Sequence, residues 1–462
     1  MTLCFHGVVT SGSLAAAADE HLRGQGSLGL VLPDGSVLGA EDARARLIVR
    51  SPDALRRLVT APGELGFGRA YVAGEIDIDG DIYAALAALL ELPSARELAG
   101  LWLPAARTVG MRGLRPLPPP PEEARLRGRR HTRRRDAAAI SHHYDVSNAF
   151  YRLVLGSSLT YSCAVFENMD ATLEEAQAAK HELVCQKLAL DEGMRLLDVG
   201  CGWGSLLLHA AEKHGVRGLG VTISSRQAEL ARERVAEAGL TDRIDIRLAD
   251  YRDVRDGPFD AISSIGMFEH VGLSRLDLYF TRLHGLLRPQ GRLLNHGIAR
   301  PPARRPPIRR STFVGRYVFP DGELHEVGAV VSAVQKAGFE VRHSESLREH
   351  YALTLRAWVR NLEANWEEAV AEVGAARARI WRLYMAGSAL GFEASRLQVH
   401  QVLAVRPDGG RSGMPLTPGR WRESVAEKAG SADRLNRYLV VEQRRPASGP
   451  SLVLLDLETV RR

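Results

Sequence analysis

The 462-residue chain predicts an α/β fold, a mostly parallel sheet with crossover helices, preceded by a smaller N-terminal α+β domain. Three observations predict it. From residue 183 onward, strand-like and helix-like segments alternate, the pattern of βαβ units. The first strand segment, Arg195-Leu196-Leu197-Asp198-Val199, ends in a glycine-rich turn, Gly200-Cys201-Gly202-Trp203-Gly204, directly before a helical pattern over Ser205 to His214. A proline-rich stretch, Arg115 to Pro121, which can continue neither a helix nor a central strand, separates this part from the first 110 residues.

Residues 1–110 read as a small mixed domain, with a turn-rich strand at Leu28 to Gly35 and an alanine- and leucine-rich helix after Asp79-Gly80-Asp81. Residues 111–139 are a Pro/Arg-rich linker carrying seven arginines between Arg125 and Arg135. Residues 140–407 hold the alternating segments. After Val199 come strands at Gly218 to Thr222, Ile244 to Leu248, Ala261 to Ile265 and Gly291 to Asn295, with a helix near Arg226 to Ala238. A second irregular stretch, Arg300 to Arg310, looks like an insertion, and 408–462 is a C-terminal extension without an assigned role.

The composition is that of an ordinary soluble globular protein, 45% hydrophobic and 25% charged. No run of apolar residues is long enough to cross a membrane, and the N-terminus lacks the basic-then-apolar order of a signal peptide. The four cysteines contain no CxxC pair, so neither a disulfide framework nor a zinc site is expected. A cytoplasmic location follows. Of the 61 Lys and Arg residues behind the net charge of +6, only five are lysine.

In such sheets, ligands bind beyond the carboxyl ends of the strands. Gly200, Gly202 and Gly204 allow positive φ and close approach of a ligand to the backbone. The spacing is GxGxG rather than GxGxxG, the acid Asp198 lies inside the strand end, and no Lys-Ser/Thr follows to bind a triphosphate. The rival reading of these glycines is a turn packed tightly for its own sake.

Leu196 to Gly204 resembles the S-adenosylmethionine loop of class I methyltransferases, whose sheet is Rossmann-like. More narrowly, it is similar to the cyclopropane-fatty-acyl-phospholipid synthase and mycolic acid cyclopropane synthase family. The same order of motifs occurs in His143-Tyr144-Asp145-Val146-Ser147-Asn148, Tyr161-Ser162-Cys163-Ala164, Gly220 to Ser224 with Gln227, Gly266 to Gly272, Tyr317 to Pro320, and His350 to Leu355. The resemblance implies that Tyr161 and Ser162 meet the methionine end of the cofactor. It places Asp198, Gly200, Cys201, Gly202, Trp203 and Gly204 in the cofactor loop, Thr222 and Gln227 at the ribose, and Asp250 and Tyr251 beside the adenine.

The implied reaction is transfer of the sulfonium methyl to an alkene. It leaves a carbocation that must be shielded from water and must lose a proton, so orientation, a base and nearby negative charge carry the catalysis. The family's bicarbonate ligand set falls on Cys163, Glu269, His296, Ile298 and Tyr351, with Cys163 and Ile298 acting through the backbone. The implied substrate is an unsaturated fatty-acyl chain of a phospholipid, reached from the inner face of the membrane by peripheral association, and the default product is a cyclopropane fatty acid. A homodimer is compatible with the resemblance.

Four positions depart from the family pattern. Gly297 stands where threonine is frequent, Leu324-His325-Glu326 where Leu-Pro-Ser is usual, Ser147 where glycine is common, and Ser388 where cysteine is frequent. The first two lie near the reaction centre. They resemble a branch that forms 10-methylene and 10-methyl stearoyl lipids, the latter with a separate reductase. Two rival readings of function remain. A nucleic-acid methyltransferase would use Arg125–Arg135 on phosphates, but that run lacks interleaved aromatic residues and no base-flipping motif follows the fourth strand. A lipid-binding protein with a degenerate fold would not need Glu269, His296 and Tyr351.

Overall fold

The computed structural model describes residues 19, 22–24, 26–91, 115–124, 135, 147–302 and 312–417. His143 to Val146, the arginines between 125 and 134, and 418–462 lie outside them. The N-terminal region carries β1 (Leu28–Val31), β2 (Val37–Gly39), β3 (Ala45–Val49), α1 (Asp53–Thr60), α2 (Glu64–Val72), β4 (Ile76–Gly80) and α3 (Ile82–Glu91). Its four strands form one sheet in the order β2-β1-β3-β4.

After the linker come α4 (Asn148–Leu155), α5 (Leu173–Leu188), β5 (Arg195–Val199), α6 (Ser205–His214), β6 (Arg217–Thr222), α7 (Ser225–Glu237), β7 (Ile244–Leu248) and β8 (Phe259–Ile265). They are followed by α8 (Phe268–Val271), α9 (Leu276–Leu286), β9 (Leu287–Ala299), α10 (Phe313–Tyr317), α11 (Val327–Lys336) and β10 (Glu340–Ser346). The described fold closes with α12 (Arg348–Ala364), α13 (Trp366–Val373), α14 (Ala375–Glu393) and β11 (Gln398–Val405). The predicted strand Arg195–Val199 and helix Ser205–His214 stand at the predicted bounds.

Seven strands make the main sheet in the order β10-β11-β9-β8-β5-β6-β7, parallel except for β11, which runs antiparallel to both of its neighbours. The last two strands were not foreseen. β5 is buried on both faces, as a central parallel strand must be. Leu196 packs into the core under α5, α6 and α7, and Leu197 and Val199 into the opposite core under α9 and α11. Strand order reverses between β5 and β8, which opens a crevice at their carboxyl ends.

The N-terminal region shares its core with the methyltransferase-like part: Tyr71 and Val72 of α2 belong to the same apolar cluster as Trp381 and Tyr384 of α14. It thus lies in the same compact unit as the methyltransferase-like part. The extended Pro-rich segment is pinned to it. Buried Glu123 accepts two hydrogen bonds from Arg69, each 2.8 Å, and pairs with Arg316 at 3.3 Å. Ser147, one of the four departures, caps α4 by accepting from the amide of Phe150. Among the described residues, no helix is long and apolar enough to cross a membrane.

Candidate functional site

The crevice at the ends of β5, β6 and β8 is a cavity of about 360 Å³. Tyr161, Ser162, Asp198, Gly200, Cys201, Gly202, Trp203, Thr222, Gln227, Asp250 and Tyr251 all line it. Gly204 does not. It precedes α6 with φ 80° and faces Ala231 and Ile246, so it shapes the turn without touching the cavity. Gly200, at φ 78°, is also a packing requirement, because a Cβ there would lie 2.4 Å from Met267 Sδ. The loop is tied down by Trp203, whose indole donates to Asn148 Oδ1 at 3.0 Å.

The polar lining is already organised. Thr222 donates to Gln227 Oε1 at 2.8 Å. Asp250 is bound by the Arg252 guanidinium at 2.5 and 2.8 Å, so its carboxylate is held by its own loop. Asp198 accepts from Ser263 at 2.6 Å. Burial raises its carboxyl to about 6 despite that bond and the nearby Lys180 charge. Lys180, fully buried on α5, donates to Ser162 Oγ at 3.2 Å, and burial lowers its ammonium to about 8. Each favours the other's charged form, so the acid and the base are electrostatically coupled in the cavity wall. Lys180 was missed from the sequence. Its signal was scarcity: of five lysines among 61 basic residues, two, Lys180 and Lys187, are buried on one helix.

The five predicted catalytic residues are absent from this lining, although Cys163 and Glu269 each adjoin a lining residue in the chain. Glu269 lies two residues after Met267 and immediately before His270, and both Met267 and His270 line the cavity. Glu269 Oε1 accepts from the amide of Ile298 at 2.7 Å, while its Oε2 is buried with no hydrogen-bond partner. Burial, opposed by the Ile298 amide, pushes the carboxyl up to about 7. His296 Nδ1 meets the amide of Gln401 at 3.2 Å, and its Nε2 is also buried without a partner. Burial, reinforced by the charges of Lys180 and Lys187, holds the ring down to about 3, so it is neutral. The backbone N–H of Ile298 is thus engaged by Glu269, which ties two of the five residues together. The Cys163 thiol is buried and contacts the carbonyls of Ala164 and Leu347 at 3.2 and 3.6 Å. Tyr351 is packed against Phe392 and Trp358.

Aromatic rings that the sequence reading did not single out complete this region. Tyr161 lies 5.3 Å from Trp358 and 5.6 Å from Trp381, and its hydroxyl meets that of Tyr384 at 3.3 Å. Ring faces carry negative charge density and stabilise cations. The departures cluster here too. A Cβ at Gly297 would sit 2.0 Å from Phe268 Cε1, so the ring of Phe268 occupies the space a threonine would take. His325 lies against the same ring, with centroids 6.5 Å apart. Two differences that are distant in sequence therefore meet at one phenyl ring.

Of the basic run, Arg135 is described, and it is buried, with two bonds to Asp321 at 2.5 and 2.8 Å. Arg135 therefore does not face a phosphate or a headgroup, a correction to its place in the basic run, because its charge is satisfied internally.

The family described as mycolic acid cyclopropane synthetase matches residues 131–402. The chain is 47% identical to a probable fatty acid methyltransferase of Mycobacterium tuberculosis, over 89% of this chain and 99% of the relative. It is 35% identical to a tuberculostearic acid methyltransferase of the same organism, over 86% and 94%. The crystal structure of a mycolic acid cyclopropane synthase complexed with SAH and CTAB superposes with a TM-score of 0.55 at 37% identity, covering 58% of this chain and 98% of that one. With its class I methyltransferase sheet and the motifs that line the crevice, the chain belongs to the mycolic acid cyclopropane synthetase family of S-adenosylmethionine-dependent lipid methyltransferases.

Proposed function

We propose that this protein transfers the methyl group of S-adenosylmethionine to the double bond of an unsaturated fatty-acyl chain in a phospholipid, and that ring closure yields a cyclopropane fatty acid. The observation that carries this reading is the pair of unpartnered buried polar atoms, Glu269 Oε2 and His296 Nε2. A buried atom of this kind costs free energy unless something uses it. A carboxyl held at about 7 can accept a proton near neutral pH.

In the reaction, the alkene π pair forms a bond to the sulfonium methyl carbon, the carbon–sulfur bond breaks onto sulfur, and the cation is left on the neighbouring chain carbon. Loss of a proton from the new methyl group lets that carbon bond to the cationic one and close the ring. Tyr161, Trp358 and Trp381 wall the region with ring faces that suit a cation and exclude water. The two unpartnered atoms suit a small oxyanion such as bicarbonate, to which the family resemblance adds the backbone at Cys163 and the phenol of Tyr351. When bound, it would supply negative charge and proton-accepting capacity.

A second reading gives a different product. If a hydride shift precedes proton loss, the same cation gives a 10-methylene chain, which a separate reductase would convert to a 10-methyl chain. The similarity to a tuberculostearic acid methyltransferase supports this alternative for the product. Incubation with methyl-labelled cofactor and oleoyl phospholipid, followed by NMR of the product, separates the two through cyclopropane or vinylidene protons. Consumption of cofactor with neither signal would overturn the acyl-alkene reading, and labelling of added RNA or DNA would favour the nucleic-acid reading. Replacing Arg129, Arg130, Arg133 and Arg134 with Gln tests the peripheral membrane contact. We expect weaker and less salt-sensitive binding to anionic liposomes, and unchanged binding would rule out that contact.

A further inference from the structure

The side chains behind His296 form a chain of donors and acceptors with one consistent polarity. His296 on β9 and Gln401 on β11 are register partners across an antiparallel ladder, so their side chains emerge on the same face. Gln401 is fully buried and touches two groups, Lys187 Nζ at 2.5 Å through Oε1 and His296 Nδ1 at 3.2 Å through Nε2. Lys187 comes from α5 and also pairs with Glu345 of β10.

An ammonium has only hydrogens to offer, so the amide must turn its oxygen to Lys187. Its NH2 then faces His296, and an NH2 group can only donate. Nδ1 must therefore present its lone pair. Because the ring is neutral, its single hydrogen is on Nε2, the atom that points to no partner beside the site.

We propose that Gln401 is a positioning residue, pinned by Lys187, that fixes His296 as the Nε2–H tautomer and so makes it a hydrogen-bond donor to the reaction centre. A donor at Nε2 cannot take the proton released from the new methyl group. The ring orients and stabilises negative charge, and proton acceptance falls to Glu269 and whatever oxyanion the two share. This consequence for catalysis rests on the function proposed above, whereas the tautomer assignment does not.

Long-range proton–nitrogen correlation spectra of the full chain labelled with 15N-histidine read the tautomer directly, with the His296 signals assigned by their loss in His296→Gln. We expect Nδ1 at the unprotonated position and Nε2 at the protonated one. In Gln401→Glu, a carboxylate that only accepts replaces the donating NH2, so Nδ1 gains the hydrogen. The turnover number then falls on the order of 10²-fold, as when the tautomer of a catalytic imidazole is set wrongly. Cofactor affinity by calorimetry stays within about threefold, because Gln401 does not line the cavity. In Gln401→Met neither tautomer is enforced, and the spectrum shows both. A wild-type ring protonated at Nδ1 overturns the proposal, even if every variant fails to fold. So does a Gln401→Glu spectrum identical to wild type. A wild-type ring with the expected tautomer in a protein that does not alkylate oleoyl phospholipid would leave this proposal standing and sink the proposed function instead.

Discussion

The cavity and the region around Glu269 and His296 are built on opposite principles, although Glu269 is the immediate chain neighbour of His270 in the cavity wall. In the cavity, the polar groups are satisfied before any ligand arrives: Thr222 by Gln227, Asp250 by Arg252, Asp198 by Ser263. By contrast, Glu269 and His296 each use one polar atom to fix their orientation and leave the other buried and unpartnered. The first region is a preformed socket that gains affinity by not having to reorganise. The second stores an unfavourable arrangement that stability alone would remove, as expected where groups must act on a reacting atom.

The sharpest test of this contrast is Glu269→Gln. It should lower the turnover number by at least about 10²-fold, while calorimetric affinity for S-adenosylmethionine stays unchanged. Near-wild-type turnover would remove Glu269 from the reaction centre and dissolve the distinction.

The same variant should be more stable than the parent at alkaline pH. The folded carboxyl keeps its proton up to about 7, whereas its ordinary value is 4.5. Between those values the native state binds more protons than the unfolded one, so stability falls as pH rises through this window. Below it the penalty is absent, and above it the penalty is complete. Relative to its effect at pH 4, the substitution should gain about 3 kcal/mol at pH 8. Denaturant unfolding at the two values reads it, and equal effects at both would mean that Glu269 is not held out of water.

Gly297→Thr tests whether the departures at the reaction centre form one packing unit. The new Cβ must displace the Phe268 ring, at a cost of about 2 kcal/mol. Phe268→Leu should recover part of that cost in a double-mutant cycle. Strictly additive effects would show that the two positions do not share space.

The smallest effect is expected in the socket. Gly202 sits at φ 55° with open space before it, so the Val side chain of Gly202→Val would project into the cavity at a strained backbone position. Cofactor affinity should fall by about tenfold, worth about 1.4 kcal/mol, with turnover at saturation little changed. Unchanged affinity would move the cofactor away from this loop.

The socket was largely legible in the sequence. The glycine loop after β5 follows from local turn chemistry, whereas Thr222, Gln227, Asp250, Tyr251, Tyr161 and Ser162 were placed by the family resemblance, the last two in the connection between α4 and α5 rather than at a strand end. Gly204 was the exception, because a glycine that shapes a turn and one that faces a ligand look alike in a sequence. Lys180 and Lys187 were missed although their rarity among the basic residues marks them.

What the sequence determined by itself is the α/β class, the strand that ends at Val199 and the helix that begins at Ser205, because these follow from local periodicity and turn chemistry; the other motifs of the crevice were placed by the family resemblance. The tertiary structure alone decided which side chains surround the proposed reaction centre. The antiparallel return of β11 brings Gln401 beside His296, 105 residues away in sequence. The packing of α12 and α14 brings Trp358 and Trp381 to Tyr161. The basic run likewise could not disclose that Arg135 reaches Asp321. Local propensity fixes where an element begins and which face is apolar. It does not set which distant side chain fills a hydrogen-bonding position, because that depends on strand register and on which helix packs against which.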